Sequence, residues 1–140
     1  MKKKSEKSNG LDIIKTFFID WDDAPIGSVL DDISMIVKEM RGATVKLYAT
    51  GTKNHHSGVV ENITISFDDS IRVLCKTACS RCYITMAIVR RAHYFRFSER
   101  IEISKCGITF TKKPEYKGTY YLDSEVDGVA IDLRDIGGIP

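Results

Sequence analysis

From Ile71 to Phe97 the chain reads IRVLCKTACSRCYITMAIVRRAHYFRF, and no other stretch restricts the fold as much, since it holds two apolar runs, three of the four cysteines and the densest arginines. Ile71, Val73 and Cys75 alternate with Arg72, Leu74 and Lys76, while Cys82, Ile84, Met86 and Ile88 alternate with Tyr83, Thr85, Ala87 and Val89. A repeat of two marks extended chain, because successive side chains of a strand point to opposite faces. Thr77 to Arg81 has the length of a hairpin loop, so the two predicted strands pair antiparallel. Leu74, Ala87 and Val89 bring apolar atoms to the second face as well, which predicts strands covered on both sides, as in a curled sheet or small barrel.

The period changes between Ala24 and Met40. There Ile26, Val29, Leu30, Ile33, Val37 and Met40 fall at helical spacing, with Asp31, Asp32, Ser34, Lys38 and Glu39 on the polar side. Asp22, Asp23 and Pro25 suit the start of this helix, and Lys38, Arg41 and Gly42 suit its end. The segment before it, Leu11 to Trp21, is dense in apolar residues without clean alternation and predicts a strand or short helix docked on the core. After Gly42 come period-two runs at Val45 to Ala49 and Val59 to Phe67, the second carrying a bulge signal near Glu61, with a polar, glycine-bounded loop from Gly51 to Gly58 between them. Asp68 to Ser70 reads as a turn. Further strands are predicted around Ile101 and Ile103, Ile108 and Phe110, Thr119 to Leu122, and Val129 to Leu133. The expected architecture is α+β, with one main N-terminal helix over a small, strongly curved, mainly antiparallel barrel or sheet of six to eight strands.

With 140 residues the chain is long enough for one domain with its own core, here residues 11–140, preceded by a flexible basic tail at 1–10 that has no apolar residue after Met1. A formal charge of +2 points to no polyanion partner by itself, so any such claim rests on local clustering. No apolar run approaches the roughly 20 residues needed to span a bilayer, and the start leads into no signal-peptide core. Four cysteines in a chain of this length do not form a secreted disulfide framework. A soluble, cytoplasmic protein is expected, with no membrane partner.

The clustering is found at Arg90, Arg91, Tyr94 and Arg96, because guanidinium beside aromatic faces is the chemistry that holds phosphates and stacks bases. Lys53, His55 and His56 in the glycine-bounded loop would extend that basic rim. Cys79 and Cys82 have the C-x-x-C spacing that lets two thiolates reach one zinc ion, with Cys106 as a third ligand and Cys75 or His93 as a fourth; the competing reading is small, packed thiols. No nucleophile elbow, zinc-protease helix or phosphate-binding glycine loop occurs, so a non-catalytic protein is expected.

Over residues 24–97, and most of all in IRVLCKT, CYITMA and IVRRAHYF, the chain resembles Sm-like RNA-binding barrels. That resemblance implies RNA held at a barrel rim and admits a homo-oligomer. Over residues 90–139, VRRAHYFRF and DLRDIGGI resemble the arginine entry and strand motif of PilZ domains, which implies a bound cyclic dinucleotide. The reading for function is therefore a regulatory nucleic-acid-binding barrel, RNA favoured. An adaptor or inhibitor of a nucleic-acid-handling protein is the alternative from a different class.

Overall fold

A computed structural model describes residues 12–93, 100–103, 109–112 and 114–134. In chain order the elements are β1 (Ile13–Asp22), α1 (Ile26–Glu39), β2 (Thr44–Ala49), β3 (His55–Ser66), α2 (Phe67–Cys75), α3 (Arg81–Arg90), β4 (Arg100–Ile103), β5 (Thr109–Lys112), β6 (Glu115–Asp123) and β7 (Gly128–Asp132). Five strands form one antiparallel sheet in the order β1-β3-β2-β6-β7, and β4 pairs with β5 in a separate ribbon. β1 and β2 both run antiparallel to β3, which lies between them, so β1-α1-β2 is a split β-α-β unit.

Three expectations are overturned here. Among the described residues the sheet is open, with β1 and β7 at its two edges, five strands and no barrel closure. Three helices accompany it among those residues, and the main one follows β1 instead of preceding the sheet. The predicted hairpin of Ile71 to Ile88 is in fact α2 and α3. Ser66 caps α2 by accepting the Asp69 N–H at 3.0 Å, and Asp68 and Asp69 occupy its first turn, where carboxylates are favoured. Phe67, Ser70 and Leu74 are its buried residues, a helical spacing that coexisted with the alternation of Ile71, Val73 and Cys75. In α3 the Ser80 hydroxyl accepts the Tyr83 N–H, and Ile84 and Ala87 are buried. Short apolar runs satisfy both periods, and the caps decide between them.

The helices lie on one face of the sheet. Phe17, Ile19 and Trp21 of β1, Val45 and Leu47 of β2 and Val60 of β3 pack with Val29, Ile33, Ile36 and Val37 of α1, Leu74 of α2 and Ile84 of α3. Within the predicted stripe of α1, Ile26 and Leu30 are exposed and Ile36 is buried instead. Gly58 sits under the Trp21 indole, where an added Cβ would come within 2.9 Å of Trp21 Cζ3. The expected bulge of β3 is present: partners jump from Ile65 to Glu61 between Ile14 and Thr16 of β1, and Asn62 has φ +63.

Asp32 holds three of these elements together. Its Oδ2 accepts the Trp21 indole N–H at 2.9 Å and the Ala78 backbone N–H at 2.8 Å, joining α1 to β1 and to the α2–α3 connection. Predicted for the polar side of the helix, it is a buried-edge anchor instead. No helix among the described residues is long and apolar enough to cross a membrane.

Candidate functional site

The opposite face of the sheet carries no helix among the described residues, and the strand register lays out its side chains row by row. Across it, Thr16, Glu61, Thr44, Tyr121 and Ala130 form one row, and Phe18, Val59, Lys46, Thr119 and Asp132 form the next. Asp20, Ser57, Tyr48 and Tyr116 form a third. Three tyrosines from β2 and β6 therefore share this face, whereas Tyr120, the neighbour of Tyr121, turns toward the core.

Tyr48 and Tyr116 meet with ring centroids 5.6 Å apart and planes tilted by 54°, a favourable aromatic contact. The Tyr116 hydroxyl is hydrogen-bonded to Thr119 Oγ1 on its own strand. This bond ties the half-exposed Tyr116 side chain to its own strand. Lys46 lies between the rows, its Nζ 3.3 Å from Glu61 Oε1, and that carboxylate raises the ammonium pKa above its usual value. Both phenols are close enough to add to that field, and burial pushes the Tyr48 phenol up. The arrangement offers two mutually tilted aromatic rings with one cation beside them.

At one end of this face stands a polar knot. His55 Nε2 lies 3.0 Å from Asp20 Oδ1, and His55 Nδ1 lies 2.7 Å from Thr50 Oγ1. With Nε2–H donated to the carboxylate, Nδ1 accepts the threonine proton. The order carboxylate, imidazole, hydroxyl has the form of a nucleophile relay, but Thr50 is only 4 % exposed and its hydroxyl also faces His55 O at 3.2 Å. The knot closes the β2–β3 turn and presents no accessible nucleophile.

Of the residues expected to form one basic rim, the described ones are scattered. His55 and His56 belong to β3 instead of a loop, so they point to opposite faces: His55 to the tyrosine face, His56 to the helix side opposite Trp21. Burial pushes the His56 pKa down, and its buried Nδ1 has no hydrogen-bond partner. Lys53 is exposed in the turn. Arg91 caps α3 in the left-handed region, φ +53, and its guanidinium reaches Asp68 at 3.0 Å and Asp12 at 3.3 Å while lying 4.7 Å from the centre of the Phe67 ring. It is a clamp between helix and sheet. Asp12 and Asp22, opposite His55, are at the two ends of β1, so Arg91 and His55 are about 30 Å apart at strand rise. Arg90 is exposed at the end of α3, and Tyr94 and Arg96 lie outside the described residues.

His93 is half-buried at the margin of the core. The Ser70 hydroxyl donates to Phe67 O at 2.6 Å, so its oxygen is left to accept from His93 Nε2–H at 2.8 Å, and the Tyr83 hydroxyl donates to Nδ1 at 2.9 Å. The rings of Phe17, Phe67 and Tyr83 surround it. Burial pushes its pKa down to about 4.

Among the described residues, Cys75, Cys79 and Cys82 do not come together as a metal-binding group. Cys79 is buried, its thiol pushed up to about 12 by desolvation, whereas Cys75 and Cys82 are exposed. Among the described residues no group of three or more His, Cys, Asp or Glu could hold a metal ion, and Cys106 lies outside them. The tyrosine face was missed in sequence because its members come from strands 70 residues apart, and only the β2–β6 register joins them. No family model, curated protein or solved structure matches this chain.

Proposed function

We propose that the protein is a non-catalytic binding module that takes single-stranded nucleic acid, RNA foremost, on the tyrosine face of its sheet. The observation that carries this reading is the half-exposed Tyr116 ring, held by Thr119 and in contact with Tyr48, with the Lys46 ammonium close by. Aromatic plates on an open sheet suit unstacked bases, which are the usual targets of RNA recognition, and any base has a π face to offer. The face is net acidic: Glu61, Asp20, Asp22 and Asp132 stand on it with Lys46. Stacking therefore supplies most of the affinity, and the salt dependence is shallow. Fluorescence anisotropy with labelled RNA and DNA oligonucleotides tests this. Single strands should bind in preference to duplex, with a log–log salt slope of about −0.7, the value for one phosphate contact on a single strand. Tyr116→Ala should weaken binding about tenfold. A slope several times steeper would return the site to an arginine surface.

A second reading, a protein-interaction module, is favoured by the β7 edge. Ile131 and Leu133 are 39 % and 52 % exposed, and among the described residues no strand pairs with the outer side of β7, a surface suited to an added strand. Failure of every oligonucleotide to bind folded protein would make this the leading reading.

A further inference from the structure

We infer that the ligand is an extended, unpaired strand read in a fixed register, with one base on Tyr116, a second on Tyr121, and a linking phosphate at Lys46. This inference rests on the nucleic-acid reading above and adds to it a spacing of contacts. Across the β2–β6 ladder Tyr48 faces Tyr116 and Thr44 faces Tyr121, so the two aromatic positions are four β2 residues apart. At strand rise that is about 13 Å. Successive bases of a stacked strand are separated by only about 3.4 Å, so neighbouring stacked bases cannot occupy both positions. A splayed strand can, with an intervening nucleotide spanning the gap.

Lys46 stands midway, two residues from Thr44 and two from Tyr48, on the same face and opposite Thr119. The span between the tyrosines therefore passes the ammonium. The charges around it are Glu61 from β3 at 3.3 Å and, across Thr119, Asp132 of β7, which is itself paired with Arg134. Lys46 and Glu61 have side chains 40 % and 36 % exposed, and a pair this wet contributes little, so a phosphate oxygen competes with the carboxylate for the ammonium. Tyr121 is 37 % exposed, open to a base without rearrangement of the core.

Length-resolved binding to the full chain tests the register, using uridine and adenosine monophosphates, the trinucleotides and hexanucleotides. The trinucleotide should be the shortest ligand that gains both contacts, and it should bind at least tenfold more tightly than the mononucleotide. Tyr121→Ala should cost the trinucleotide about tenfold and leave the mononucleotide unchanged, whereas Tyr116→Ala should weaken both. Should Tyr116→Ala disturb folding, Tyr116→Phe keeps the ring, loses the Thr119 bond and should still weaken both ligands. A trinucleotide no tighter than its monomer, or one indifferent to Tyr121→Ala while hexanucleotides still bind, overturns the register and leaves the nucleic-acid reading standing. If no oligonucleotide of any length binds folded protein, both fall.

Discussion

Asp32 and His93 show how much a single side chain can carry beyond its place in a pattern. Asp32→Ala removes the acceptor of both the Trp21 indole and the Ala78 amide, and Trp21 is fully buried, so its N–H would be left without a partner. The expected loss is about 1 to 3 kcal/mol by denaturant titration, against a change within about 0.5 kcal/mol for the exposed neighbour Asp31→Ala. His93 is neutral in its cage, with a folded pKa near 4 against an ordinary value of 6.5. A proton therefore binds the unfolded chain first: the stabilisation is whole above about pH 6.5 and is lost as pH falls toward 4. Melting curves of the wild type and His93→Gln should converge across that window. Parallel curves at every pH would show that His93 does not titrate in it.

At the scale of elements, α1 is held by packing. Its N-cap is Pro25, with no side-chain hydrogen bond, and its first turn has no carboxylate, so Val29, Ile33, Ile36 and Val37 supply what the terminus does not. Ile33→Ala leaves a cavity in the centre of that contact and should cost about 2 to 5 kcal/mol in chemical denaturation. An unchanged midpoint would mean that the stripe is a docking face. α2 and α3 are the reverse case, short helices whose Ser66 and Ser80 caps help select helix where periodicity is neutral. The Arg91 clamp then ties the end of α3 to Asp68 of α2 and to Asp12 beside β1.

For the whole molecule, an open sheet with helices on one face implies a gradient of stability. β3 and β2 are flanked by strands on both sides, while β7 lies at an edge with Ile131 exposed. Amide exchange should be slowest in β2 and β3 and fastest in β7. β1, though an edge, should be well protected because Phe17, Ile19 and Trp21 are fully buried. Equal protection of β7 and β3 would point to a partner, or a second copy, covering that edge.

By itself the sequence determined the elements with one dominant signal. The helical stripe from Val29 to Val37, the alternation of Val45 to Ala49 and the bulge near Glu61 are written in side-chain spacing, because a half-buried element must repeat its apolar residues at its own period. Tertiary structure decided three other things. It made helices of Phe67–Cys75 and Arg81–Arg90, where apolar residues fit both periods and caps and packing settled the choice. It separated His55 from Arg91 and turned His56 to the other face, because distance along β1 and the pleat of β3 are not readable from proximity in the chain. And it brought Tyr48 beside Tyr116, since the pairing of β2 with β6 depends on which strands find each other across the core.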